Sequence, residues 1–243
     1  MENDILYIIM PAYNEQDNID SVVAQWHPII EKIGEKSRLL IVNDGSKDNT
    51  YNRLVELQKQ YSQLVAIDKP NSGHGATCLF AYRKAIEEKV DFIFQTDSDG
   101  QTEPDEFWLF WENRKDYDFQ IGDRTTREDG KVRVLITQVL RLVVKMIFGE
   151  SVKDSNTPFR LMKTERLRPI LEVIPDDFFL SNVVISTIVV KWNERYIWRP
   201  ITFKPRQAGV NSINLKRIIK IGWKALGDFK RINKTLKTRK VEK

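Results

Sequence analysis

The chain has 243 residues, 41% hydrophobic and 30% charged, which suits one large globular domain or at most two small ones. Its one cysteine, Cys78, excludes an internal disulfide, and its two histidines, His27 and His74, make a zinc site of nitrogen and sulfur ligands unexpected. The net charge of +5 is uneven: residues 214–243 carry eleven Lys or Arg against two acids, a local +9 that leaves the rest near −4.

In chain order, residues 5–10 read as a buried strand and 18–33 as a helix. Residues 38–43 form a second strand (Leu39, Leu40, Ile41, Val42), followed by a helix over about 48–61. A short strand at 64–67, a helix at 75–88 and a strand at 92–95 complete an alternating pattern. Such alternation predicts parallel strands with crossover helices, and ligands in such sheets sit at the carboxyl ends of strands. Further along, 131–148 is strongly apolar with Arg133, Arg141 and Lys145 interspersed, 177–191 is an apolar helix, and 196–203 reads as a strand. Leu215, Ile218, Ile219, Trp223, Leu226, Phe229, Ile232 and Leu236 then recur at helical spacing, an amphipathic helix. The N-terminus shows no basic n-region or cleavage site, and the uncharged stretch 178–190 is too short to span a bilayer, so a cytoplasmic protein is expected.

Four loops at strand ends draw attention. Pro11-Ala12-Tyr13-Asn14-Glu15 ends the first strand, because proline cannot continue the ladder. Asn43-Asp44-Gly45-Ser46-Lys47-Asp48 is a turn in which Ser46 or Asp48 can cap the next helix, and where Asp44 is placed to accept a nucleobase N–H. Asn71-Ser72-Gly73-His74-Gly75-Ala76 offers two glycines at a helix start, suited to close approach of an anionic ligand, yet lacks the third glycine of a dinucleotide fingerprint. Thr96-Asp97-Ser98-Asp99-Gly100-Gln101 sets two carboxylates at the end of an apolar strand, where they repel unless a cation or donors compensate. Magnesium or manganese bridging a diphosphate is the natural compensator.

In this order the four loops resemble glycosyltransferase family 2, the inverting enzymes of the GT-A fold. Gly122-Asp123-Arg124, Asp154-Ser-Asn-Thr-Pro-Phe159-Arg160 and Arg206-Gln-Ala-Gly209-Val-Asn-Ser212 extend the likeness toward dolichyl-phosphate mannose synthases and bacterial polyprenyl-phosphate glycosyltransferases. The resemblance implies an α/β, Rossmann-like, mostly parallel sheet flanked by helices, with residues 1–213 as the GT-A domain and 214–243 as a basic amphipathic helix and tail. It implies a donor site of Pro11, Ala12, Tyr13, Glu15, Asp44, Gly73, Gly75, Asp97, Ser98 and Asp99, with magnesium or manganese on Asp97 and Asp99. Arg124, Arg160, Arg206 and Ser212 would contact donor or acceptor phosphates. Asn43 stands where the family usually has the first of two acids, and Gly-Gln-Thr-Glu-Pro follows Asp99 in place of Leu-Ser-His-Pro-Pro.

The expected reaction moves a sugar from a UDP- or GDP-sugar to a polyprenyl phosphate. Asp99 and Arg124 would serve catalysis by stabilising the departing diphosphate. A sugar hydroxyl in polysaccharide or glycolipid assembly is the alternative acceptor. It would need a carboxylate base, for which Asp176 and Asp177 are candidates, either being equally an N-cap of the apolar helix. An inactive nucleotide-sugar-binding or membrane scaffold is the third reading. Residues 214–243 either lie at the cytoplasmic membrane face, with Trp223 and Phe229 inserted, or pack on the domain ahead of a solvated tail. Nucleic acid is not an expected partner, since no recognised module accompanies the basic run.

Overall fold

The computed structural model describes residues 4–124, 131–204 and 215–241. Its centre is a seven-stranded sheet. The first strand, β1 (Leu6–Ala12), pairs in parallel with β2 (Arg38–Asp44) on one side and β4 (Phe92–Gln95) on the other, and β2 pairs in parallel with β3 (Leu64–Lys69). Right-handed βαβ crossovers are the economical way to join parallel neighbours. The helices that follow the first three strands are α1 (Ile19–Ile33), α2 (Thr50–Gln58) and α3 (His74–Glu87).

Side chains alternate across this sheet. Ile8, Leu39 and Phe94 face one layer, where Trp26 of α1 and the rings of Phe107, Phe110 and Phe159 surround Phe94. Ile9, Leu40 and Ile93 face the other, against α3 and the later helices. A sheet covered on both faces explains why its strands read as continuous apolar runs.

The second half carries elements that the apolar pattern does not announce. After a 3-10 turn (Pro104–Glu106) and α4 (Phe107–Glu112) comes β5 (Phe119–Arg124). Then follow α5 (Lys131–Phe148), β6 (Arg160–Lys163), α6 (Thr164–Leu171), α7 (Ser181–Lys191), β7 (Tyr196–Ile201) and α8 (Leu215–Val241). The sheet order is β3-β2-β1-β4-β6-β5-β7, with β6 antiparallel to both neighbours. Helix α7 starts at Ser181, four residues later than the sequence suggests, so neither Asp176 nor Asp177 caps it. Asp176 instead pairs with Arg83 at 2.8 Å.

The C-terminal helix belongs to the domain core. Ala225, Phe229, Ile232 and Leu236 are buried among α5 and α7 residues, and the Phe229 ring meets Phe148 and Phe178 at centroid distances of 5.5 and 5.7 Å. Of the two readings of this segment, the burial of Phe229 fits a helix packed on the domain and leaves that ring nothing to insert into a membrane. Trp223 has its side chain outside the described residues. Among the described residues no helix is long and apolar enough to cross a membrane.

Candidate active site

The carboxyl ends of β1, β2 and β4 meet where the chain reverses direction across the sheet, the position where open α/β folds bind ligands. A cleft of ≈ 480 Å³ opens there. It is lined by Pro11, Ala12, Tyr13 and Glu15 after β1, by Asp44 at the end of β2, by Gly73 before α3, and by Asp97, Ser98 and Asp99 after β4. Nine of the ten donor-site residues expected from sequence thus share one cavity; Gly75 is the exception. Asn71 and His74 also line it. Both stand in a loop already marked by its glycines, but nothing in the local sequence gives either side chain a role.

Local hydrogen bonds fix the rim. Asn14, at φ 55°, donates its backbone N–H to Ser46 and accepts the Lys47 N–H at 2.8 Å, while Gln16 exchanges bonds with Asp48 and Asn49. The β1–α1 and β2–α2 loops are therefore zipped into one wall. Asp48 also accepts the Thr50 N–H at 3.0 Å, satisfying a donor in the first turn of α2.

Asp44 is the buried anchor of the second wall. Its carboxylate accepts the Ser72 N–H at 2.8 Å, the Gly73 N–H at 2.9 Å and the Lys69 ammonium. Burial alone would raise its pKa, but Lys69, the Ser72 N–H and Thr77 outweigh that and hold the carboxyl below the usual carboxylate range. Gly73 reaches this position with φ +88°, a conformation that disfavours any side chain.

On the third wall, Ser98 donates its hydroxyl to the Pro11 carbonyl at 2.8 Å and ties β4 to β1. Asp97 Oδ1 lies 3.0 Å from His74 Nε2, and Asp99 accepts the Gln101 N–H at 3.2 Å. His74 Nδ1 is 3.7 Å from the Cys78 sulfur, which accepts from Gln95 at 3.5 Å, and Gln95 in turn accepts from the buried Tyr82 hydroxyl. This chain of buried groups orients His74 toward Asp97. The Cys78 sulfur and then Asp97 hold the imidazole well above the ordinary histidine range, against desolvation.

Among the described residues no three His, Cys, Asp or Glu side chains gather as a metal cage. A pair of carboxylates on an open cleft is the set that suits magnesium or manganese, which take one or two protein carboxylates and complete their shell with phosphate oxygens and water. Asp97 and Asp99 fit such an ion, and the exposed fraction of Asp97, 24% of its side chain, leaves it reachable from the cleft.

Residues 7–160 match the family described as glycosyl transferase family 2. The chain belongs to this family. It is 27% identical over 220 residues to a dolichyl-phosphate beta-glucosyltransferase of Trichomonas vaginalis, a match covering 76% of this chain; the chain spans 65% of that relative's length. In fold it resembles mannosyl-3-phosphoglycerate synthase of Rubrobacter xylanophilus, with TM-score 0.67, 12% identity, and coverage of 96% of this chain and 75% of the other. It also resembles glucosyl-3-phosphoglycerate synthase of Mycobacterium tuberculosis in complex with Mn2+, UDP and phosphoglyceric acid, with TM-score 0.65, 15% identity, and coverage of 94% and 78%.

Against the family pattern, Asn43 has a structural reason. It donates to Asp68 at 2.6 Å and accepts from Ser46. The family's usual acid here would set two carboxylates face to face. Asn43→Asp is expected to cost about 1–2 kcal/mol at neutral pH. Thermal unfolding checks this, and the deficit should shrink as the pH is lowered toward about 4, where one carboxyl of the pair takes up a proton.

The arginines of this family 2 chain divide. Arg160 is wholly buried, and its guanidinium donates to the Thr157, Asn182 and Ser155 carbonyls and to Ser186. The expected phosphate contact is corrected on this point, because every direction of the fork is enclosed by protein. Arg124 forms a bidentate pair with Asp154, both bonds 2.7 Å, and stacks 4.9 Å from the Phe203 ring. Neither arginine lines the cleft. Asp177 is exposed and does not line the cleft either. Arg206 and Ser212 lie outside the described residues. Gly75 serves the protein's own backbone: a Cβ there would fall 2.1 Å from the Phe179 carbonyl oxygen, so the close approach belongs to the loop before α7 and not to a ligand.

Proposed function

We propose that the protein is a hexosyltransferase that moves a sugar, with inversion, from a nucleotide diphosphate-sugar to a polyprenyl or dolichyl phosphate, using magnesium or manganese. The observation that carries this reading is the convergence of the Asp44 wall and the Asp97/Asp99 pair on one cleft of nucleotide size. The similarity to a dolichyl-phosphate beta-glucosyltransferase supports the lipid phosphate as acceptor.

The residues divide the work as follows. Tyr13, Glu15 and Asn71 flank the space beside Asp44 where the nucleoside would lie. Asp97 and Asp99 would hold the ion, which when bound supplies Lewis-acid neutralisation of the leaving diphosphate. His74 keeps Asp97 oriented toward the cleft. The sheet-borne walls fix these groups before substrate arrives, so little reorganisation accompanies charge development. A lipid phosphate is already ionised at neutral pH and needs no general base to attack the anomeric carbon. This reading therefore leaves no catalytic task for Asp177.

The test is incubation with UDP-glucose and GDP-mannose in turn, manganese, and a short polyprenyl phosphate. A glycosylated lipid phosphate detected by mass spectrometry is expected from one donor, with Asp177→Ala retaining transfer within about twofold. Transfer to a sugar hydroxyl alone, lost in Asp177→Ala, would replace the lipid-phosphate reading. Absence of both transfer and donor binding would overturn the enzyme reading.

A further inference from the structure

Of the large hydrophobic side chains that the described surface leaves most exposed, three stand on a single helix. Val139, Leu142 and Met146 of α5 are 53, 57 and 67% exposed. At 100° per residue they fall within an arc of roughly 60°. The opposite face of α5 carries Val144 and Phe148, which are buried against the α7 and α8 core. The helix thus has two apolar faces, one inside and one presented to the outside.

Charge frames the outer face on both sides. Arg141 and Lys145 are exposed along one flank. On the other, Met146 and Ile147 form a groove with Lys230, Lys234 and Lys237 of α8. From 230 to 238 the exposed positions of α8 are Lys230, Arg231, Lys234, Lys237 and Thr238, none of them acidic. An apolar ridge between two cationic rows, on a helix that is otherwise anchored in the core, suits the headgroup boundary of a bilayer: the ridge enters the acyl edge and the lysines and arginines meet lipid phosphates. A purely apolar patch would fit a protein partner equally well; cations on both sides select an anionic surface.

We propose that the outer face of α5, with the exposed lysines of α8, docks the protein on an anionic phospholipid bilayer. The inference builds on the lipid-phosphate reading and gives the enzyme a defined membrane face. It also moves that face from the apolar side of α8, which is buried, to α5.

Flotation of the full chain with vesicles tests it without donor or acceptor, so its outcome is separate from that of the transfer assay. Wild-type protein is expected to float with phosphatidylcholine vesicles containing phosphatidylglycerol and to remain behind with phosphatidylcholine alone. Leu142→Glu/Met146→Glu should weaken partitioning at least about tenfold. Lys230→Gln/Lys234→Gln/Lys237→Gln should weaken it by up to about fivefold per lysine, an effect mimicked by salt. Both variants should keep the melting temperature of wild type, since the altered side chains are exposed and outside the cleft. Vesicle binding unchanged in the Leu142/Met146 variant overturns the proposal. So does sedimentation showing that wild type self-associates through these residues and binds no vesicles.

Discussion

Asp99→Ala is expected to lower sugar transfer by about a thousandfold or more while leaving the fold intact. The side chain sits beyond β4 on the open cleft and takes no part in the packing of either core layer. Its carboxylate accepts the Gln101 N–H at 3.2 Å at the rim of the cleft, outside both core layers, so its removal is expected to cost little stability. Under the proposed function, what is lost is half of the carboxylate pair that would hold the ion beside the donor diphosphate. A ligand at a hundred times its Kd stabilises a fold by about 2.7 kcal/mol, and for a domain of this size each kcal/mol raises Tm by about 2–4 °C. UDP with manganese should therefore raise the wild-type Tm by roughly 5–10 °C. In Asp99→Ala the manganese-dependent part of that rise should vanish, while any nucleoside binding on the Asp44 wall persists. Asp97→Ala should behave alike in the presence of metal, but it also removes the partner that orients His74. A manganese-dependent rise that survives in both variants would place the ion elsewhere or remove it from the mechanism.

Much of this site was legible because it is built from the part of the sheet with the simplest code. β1, β2 and β4 are buried on both faces, so their sequences are unbroken apolar runs, and each run stops where a polar loop takes over. The residues that line the cleft stand at those stops. The later strands obey the same packing but write it differently. β6 begins with Arg160 and ends with Lys163, whose charges are satisfied by carbonyls in one case and by Asp118 at 2.9 Å in the other. β5 holds Gln120 in the interior, donating to the Phe110 carbonyl and accepting from Arg199 at 2.7 Å each. Buried polar groups whose partners come from distant segments carry no local signal. The same limit hid the fates of Arg160 and Phe229. Amphipathic spacing marks which side of α8 is apolar, and only the tertiary fold tells whether protein or lipid covers it.

Gly75→Ala pits two effects of opposite sign against each other. In a helix interior, glycine to alanine ordinarily stabilises by about 0.5–1 kcal/mol, and Gly75 is the second residue of α3 with an ordinary helical backbone. Yet the new Cβ would lie 2.1 Å from the oxygen, 2.3 Å from the carbonyl carbon and 2.6 Å from the Cα of Phe179. All three are backbone atoms, so no rotamer change relieves the contact. The backbone itself must shift, and α7, which follows directly, is buried from Ser181 to Val189 and offers no free direction. Overpacking of this kind costs about 3 kcal/mol or more, which exceeds the gain in propensity several-fold. The net loss of about 2 kcal/mol or more is expected to lower Tm by roughly 4–10 °C. Gly73→Ala, two residues earlier, meets no neighbouring atom and should lose only the about 1 kcal/mol attached to its positive φ. If thermal unfolding ranks the two variants the other way, the loop before α7 does not rest on the start of α3, and the wall that carries His74 is assembled differently.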